Sequence, residues 1–428
     1  MRTPSDDSMR RKVLVAGSVG SVTEWFGFTI YGYLATVIGP LFFPSADPLA
    51  ATLAAFAVFA VGFLARPVGG FLFGHIADRV GRRNSLSWSF ILMAFATLSI
   101  GLLPTYTQIG ALAPVLLVIA RTVQGLSVGG EIGVSSSLMV EYAPDSRRGY
   151  YGSWTAASGT AGLLLGSVTA TLLTSVLSEE ALGSWGWRVP FLLGTLVGVV
   201  GWYMRRRIDD TPSFRTIKRA GEVESAPVAE VLRNHKKDAL TAVGFTLGYT
   251  VTYWTFLAYV PSFVSQVAGL SLSLALLSNS LGLLLLILVT PALGALSDRV
   301  GRKPLLVSAM VCLAVFTYPA FLLMSTGSFL VILTVQLFLG FLVALFNAPA
   351  PTTLVELFST RVRASAFSMS YNLTVAVFGG TAPYVSTFLV ARTGNNAAPA
   401  FYVAVTTMIT TLVLIGVVKE THNKPLKR

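Results

Sequence analysis

Four ionisable side chains fall inside apolar runs where hydrocarbon leaves charge unsolvated: Glu24, Arg66, Arg121 and Glu131. An ionised group at that depth costs about 2.5–3.5 kcal/mol on insertion scales, so each is a candidate for chemistry. A carboxyl there can take up and release protons, and a guanidinium offers a planar fork to a carboxylate. At 100° per residue, Gly20, Glu24, Gly27 and Tyr31 cluster within about 60° of arc, small residues beside an acid and a phenol, as in a cavity wall. Glu24 is therefore read as a proton-coupling or substrate-orienting carboxyl. Arg66 lies about 18 Å along its helix before Asp78, near mid-membrane, and Pro67 beside it loosens the backbone hydrogen bonding. Arg121, Gln124 and Glu131 share a further run. Arg121 and Glu131 are about 15 Å apart on the axis, so each needs a partner from another helix or a bound anion. In the later part of the chain the polar candidates are uncharged, with Tyr253, Asn347, Tyr371 and Asn372 as hydrogen bonders to a substrate. The structural alternative for every one of these is a buried contact that only fixes helix packing.

The elements that must hold these groups are membrane spans. The chain has 428 residues, 54% hydrophobic and 12% charged, with a mean hydropathy of +0.70. A soluble protein carries about a quarter charged residues. Twelve apolar stretches reach spanning length, at 13–39, 49–74, 86–103, 111–140, 150–177, 187–204, 239–266, 270–295, 304–324, 328–357, 364–391 and 397–418. The first is too long for a signal peptide and reads as the first span. The net charge of +12 invites a nucleic-acid reading, but its placement argues otherwise. With both termini cytoplasmic, Arg188 and Arg392 are the cations outside, Arg66 and Arg121 lie within spans, and the remainder of the 31 fall inside the cell. That is the positive-inside asymmetry of a membrane protein, and no nucleic-acid partner is needed. Cys312 alone makes no disulfide, and His75, His235 and His422 have neither metal nor triad spacing. An enzyme and a cofactor are not expected.

The segment Gly74-His-Ile-Ala-Asp-Arg-Val-Gly-Arg-Arg83 recurs 220 positions later as Gly294-Ala-Leu-Ser-Asp-Arg-Val-Gly-Arg-Lys303. Glu141-Tyr-Ala-Pro-Asp-Ser-Arg-Arg148 has a weaker echo in Glu356-Leu-Phe-Ser-Thr-Arg-Val-Arg363. Both copies keep one direction relative to the membrane, so a six-span unit is duplicated about an axis along the normal. Residues 205–238 form the long polar stretch between 1–204 and 239–428, a cytoplasmic linker with amphipathic character near 226–235.

The G-x-x-x-D-R-x-G-R-R pattern resembles the signature of the major facilitator superfamily. Glu24-Trp-Phe-Gly-Phe-Thr-Ile-Tyr-Gly32, Gly62-Phe-Leu-Ala-Arg-Pro-Val-Gly-Gly70, Arg121-Thr-Val-Gln-Gly-Leu-Ser-Val-Gly-Gly-Glu131 and Trp185-Gly-Trp-Arg-Val-Pro-Phe191 resemble its metabolite:proton symporters. The resemblance implies an all-α membrane protein of two pseudo-symmetric six-helix bundles in the inner membrane, working as a monomer by alternating access. It implies a proton-transfer role for Arg121, and a gating role for Asp78, Arg79, Arg82, Asp298, Arg299 and Arg302, with Glu141 and Glu356 at the helix ends beside them. Together the readings give a proton symporter that binds its substrate through Arg66, Arg121, Gln124, Tyr31, Tyr253, Asn347, Tyr371 and Asn372, with Glu24 and Glu131 handling protons. The expected substrate is a di- or tricarboxylate such as citrate or α-ketoglutarate; the alternatives are zwitterions such as proline and glycine betaine, or a shikimate-like monocarboxylate. Members of that family usually carry an aspartate where this chain has Gly27, so Glu24 and Glu131 would carry protonation alone. The fifth span lacks the Gly-Pro element typical of antiporters in the superfamily, which favours symport or uniport.

Overall fold

The computed structural model describes residues 18–19, 21–22, 24–80, 82–129, 131–205, 233, 236–358, 363–422, 424 and 426. The twelve apolar segments are largely helical over their described residues. They are α1 (Glu24–Tyr33 and Ala35–Phe42), α2 (Pro48–Leu64 and Arg66–Val80), α3 (Arg82–Leu102), α4 (Leu112–Val128 and Glu131–Glu141), α5 (Arg148–Val176) and α6 (Val189–Arg205). There follow α7 (Lys236–Trp254, Thr255–Tyr259 and Val260–Gln266), α8 (Leu272–Val300), α9 (Arg302–Met324), α10 (Phe329–Asn347 and Ala350–Leu357), α11 (Arg363–Thr374, Val375–Gly379 and Ala382–Thr393) and α12 (Ala398–Gly416). Among the described residues, seven of these are, by length and composition, long and apolar enough to cross a membrane, and α1 joins them as a pair of helices bent by 66°. Most of the expected linker, including nearly all of 226–235, falls outside the described residues.

The breaks have local causes. α2 pauses at Ala65, one residue before the Arg66-Pro67 pair, because Pro67 has no N–H to return to the preceding turn. The Gly69 N–H donates to the Ala65 carbonyl at 3.0 Å and restarts the ladder. α7 and α11 each widen into one π turn, at Thr255–Tyr259 and Val375–Gly379, a local unwinding common near functional sites.

Close helix approach is set by glycine. A Cβ added to Gly125 of α4 would sit 1.9 Å from the Gly62 carbonyl of α2, and one on Gly129 would sit 2.1 Å from the Arg66 carbonyl. Only a hydrogen fits at either point, which is how small residues lock membrane helices together. Outward faces carry large apolar side chains such as Phe71, Trp88, Phe95, Leu172 and Leu412, while polar groups such as Thr160, Asn279, Asn347 and Asn372 are buried within the bundle. Water would reverse that arrangement, and hydrocarbon favours it.

Among the described residues, α5 against α8 is the broadest contact between the first six helices and the last six, and α2 also packs on α11. The sequence repeat carries α2 onto α8 and α5 onto α11. It therefore maps the α5–α8 contact onto the α2–α11 contact, as a twofold relation requires.

Candidate functional site

A cavity of about 50 Å³ lies where α1, α4 and α5 face α7, α10 and α11. Its wall includes six aromatic rings, those of Trp25, Phe245, Tyr249, Tyr253, Phe367 and Tyr371. Between them come Ser136, Thr155, Thr246 and Asn347, and among the described residues no charged side chain lines it. The rings stand against one another: Tyr249 and Tyr253 have centroids 5.4 Å apart, and Phe367 and Tyr371 5.9 Å apart at 81°. Helical spacing puts Tyr249 and Tyr253 on one face of α7, and Phe367 and Tyr371 on one face of α11. The Tyr249 hydroxyl donates to Asn347 Oδ1 at 2.7 Å, and Tyr253 shares a 3.3 Å hydrogen bond with Thr160. Asn347 Nδ2 is buried with no hydrogen-bond partner among the described residues, a donor held ready at the wall. The space accepts a few waters, so an organic solute requires the rings to move apart.

The two membrane arginines stand behind this wall. Arg66 is fully buried, with its guanidinium carbon 5.2 Å from the Trp25 ring centroid, 5.4 Å from Phe63 and 5.8 Å from Phe28. Its three guanidinium nitrogens have no hydrogen-bond partner among the described residues, and Glu24 and Tyr371 act on it electrostatically. Glu24 is itself buried. The carboxyl, the guanidinium and a phenol of the cavity wall thus form one connected set. Arg121 is packed differently, 4.5 Å from the Phe28 ring and 4.6 Å from Tyr31. It donates to the Phe28 carbonyl at 3.3 Å and to Gln124 Oε1. Gln124 spends its amide on the Gly27 carbonyl at 3.1 Å and the Thr97 hydroxyl at 2.9 Å.

Contacts between the halves lie on both sides of the cavity. Toward the end bearing Arg148, Arg299, Arg302 and Lys303, here the basic face, both Asp298 oxygens accept backbone N–H groups at the start of α5. These come from Gly149 at 2.8 Å and Tyr150 at 2.9 Å. A carboxylate there satisfies two orphan donors and meets the positive end of the helix dipole. Buried Arg302 holds that carboxylate at 2.9 Å and Glu356 at 3.5 Å. At the opposite face Gln266 donates to Thr52 at 2.7 Å, Phe56 meets Tyr259 at 6.3 Å, and Ser167 of α5 accepts from Asn279 at 3.2 Å and Ser280 at 2.9 Å of α8.

The residues singled out in the sequence therefore separate. Tyr253, Asn347 and Tyr371 line the cavity. Arg66, Arg121, Gln124 and Tyr31 do not: both guanidinium groups pack against aromatic rings of α1 and α2, and of those rings only Trp25 reaches the wall. Gln124 has its hydrogen bonds already committed to α1 and α3. Asn372 also stays off the wall, donating across the halves to the Gly129 carbonyl at 2.7 Å. Arg299 and Glu141 are exposed. The side chains of Asp78, Arg79, Arg82 and Glu131 lie outside the described residues. Trp25, Phe245 and Phe367 were missed as wall residues. Trp25 carried the one available signal, its place beside Glu24, about 100° around α1.

A nearly all-helical bundle around a cavity between its first and last helices is the fold of the major facilitator superfamily, and the family's model matches residues 20–380 and 280–428. The chain belongs to that superfamily and is a multi-pass membrane transporter. The glycine betaine/proline/ectoine/pipecolic acid transporter OusA of Dickeya dadantii (strain 3937) is 37% identical over 99% of this chain and 86% of its own length. The proline/betaine transporter of Escherichia coli (strain K12) is 36% identical with the same coverage. Among solved structures, that of the proton:xylose symporter XylE bound to 6-bromo-6-deoxy-D-glucose has a TM-score of 0.78, with 17% identity over 98% of both chains. At that identity the likeness speaks to fold alone.

Proposed function

We propose that this transporter is a proton symporter of zwitterionic compatible solutes of the glycine betaine and proline class. The observation that carries the reading is the cavity wall, with its six aromatic rings, amide and hydroxyl groups and no charged side chain among the described residues. A quaternary ammonium over ring faces gains about 0.5–1 kcal/mol when exposed and about 2 or more when desolvated. A tricarboxylate would need fixed cations at contact distance, and neither membrane arginine lines this wall. The proline and betaine transporters that resemble this chain point the same way. The zwitterion reading, second in the sequence analysis, thus replaces the citrate or α-ketoglutarate one. A shikimate-like acid has no cation for the ring cage.

In this reading the ammonium end sits among Trp25, Tyr249, Tyr253 and Tyr371, and the carboxylate end takes the free Asn347 amide. Glu24 couples the proton. While ionised it compensates Arg66; once protonated it leaves the guanidinium charge uncovered behind Trp25 and Tyr371, which strengthens the pull on a substrate carboxylate. Glu131 is the second proton carrier. The basic face is cytoplasmic, with both termini, by the positive-inside rule in an inner membrane, and one chain forms the whole path. Asp298 and Arg302 close that face, and its opening alternates with opening of the other. Thermal unfolding of the purified protein tests the class, since a ligand stabilises the state that binds it. Glycine betaine or proline should raise the midpoint and citrate should not; stabilisation by citrate with betaine silent overturns the proposal.

A further inference from the structure

We propose that the described residues following α12, Val417–His422 and Lys424, act as a strap that holds the basic face closed. It does not trail away from the bundle. The Glu420 carboxylate accepts the backbone N–H groups of Arg302 at 3.1 Å and Lys303 at 2.9 Å, the first two residues of α9. It also accepts the Thr421 and His422 N–H groups at 2.9 and 2.8 Å, so four donors converge on one carboxylate. Gly301 makes the approach possible. Its φ is +98°, and a Cβ there would stand 2.7 Å from Glu420 Oε2. Lys303 ties the end of α12 into the same knot, donating to the Ile415 and Val418 carbonyls at 3.0 Å each.

From this anchor the strap reaches the groups that close the face. Thr421 Oγ1 donates to Glu356 at 2.5 Å, and Glu356 is the second carboxylate on Arg302. His422 Nε2 bonds the Asp298 carbonyl at 2.8 Å, on the residue whose side chain receives the start of α5. The Lys424 carbonyl then crosses to the other half and accepts from Arg148 Nη1 at 2.8 Å. Arg148 is also the carbonyl to which Thr352 of α10 donates, at 3.0 Å. When the basic face opens, Gly149 and Tyr150 must leave Asp298, and the neighbouring Arg148–Lys424 bond must break with them. The strap makes that cross-half bond only in the closed form, and it fixes Asp298 and Glu356 from behind. It therefore biases the two-state equilibrium toward closure of this face.

The test uses the full chain in proteoliposomes without substrate, so its outcome is independent of the substrate class. A Ser136→Cys reporter in the cavity, with Cys312→Ser, is alkylated by an impermeant maleimide applied from one face at a time. Glu420→Ala should raise the rate from the basic face about tenfold and lower the rate from the opposite face. Thr421→Val, which removes only the bond to Glu356, should move both rates the same way by less, and it carries the test should Glu420→Ala fail to reach the membrane. Unchanged rates overturn the proposal. Faster alkylation from both faces also overturns it, because that pattern is general loosening of the bundle.

Discussion

Trp25 does two jobs with one ring. One face belongs to the cavity wall and the ring covers Arg66, 5.2 Å from its guanidinium carbon. Trp25→Ala removes a cage wall and exposes the guanidinium. The half-saturation concentration for glycine betaine should rise about tenfold or more in counterflow assays, and Trp25→Phe should recover most of the loss. The sequence made the charges legible because charge in an apolar run is conspicuous. It did not show which way they face. Arg121 is covered by Phe28, Tyr31 and Phe59, residues some 60 to 90 positions earlier in the chain, and no local pattern encodes that contact. The aromatic wall was hidden for the same reason. In a helix that is apolar all round, an inward Phe367 and a lipid-facing Phe388 read alike.

At the scale of elements the spans and the repeat were readable, since length and hydropathy suffice to find a membrane helix. The pauses near Ala65 and Gly129 and the two π turns were less so, being set by packing between helices. The glycine seam between α2 and α4 is the sharpest case. Gly125→Ala forces a methyl into the Gly62 backbone and should cost about 1–3 kcal/mol or more, read as a lower unfolding midpoint in detergent. Gly27→Ala should be far milder, because its Cβ would meet only the mobile end of Met93 at 3.2 Å and the Thr97 hydroxyl at 3.5 Å. The strap has its own pH dependence. Burial works to raise the Glu420 carboxyl, but the N–H groups of His422, Arg302, Lys303 and Thr421 outweigh it and set its pKa below the ordinary 4.5. A carboxyl lowered in the docked state stabilises docking above its free pKa, and that contribution is lost as pH falls through the docked value. Among the described residues, Lys303, Arg302, His422, Lys424, Asp298 and Glu356 are charged or titratable groups near it, and the Lys424 ammonium donates to the Glu420 carbonyl at 2.6 Å. A fluorophore on Leu426→Cys should keep a constant anisotropy near neutral pH and lose it on acidification below about 4.5; a mobile tail at neutral pH would contradict the docking.

At the scale of the whole molecule, the proposed mechanism joins the buried Glu24 carboxyl, the ring-covered Arg66 and the aromatic cavity wall between two faces where the halves touch. A zwitterion carries no net charge, so symport with a proton moves positive charge inward and gains about 2.3 kcal/mol for each 100 mV of membrane potential. The direct measurement is concentrative uptake of labelled glycine betaine into proteoliposomes under an imposed inward proton gradient, for the native chain and for Glu24→Gln. The native chain should accumulate betaine, faster with a negative interior, and Glu24→Gln should equilibrate it without accumulation. No accumulation of betaine by the native chain, or uphill uptake surviving in Glu24→Gln, would contradict it.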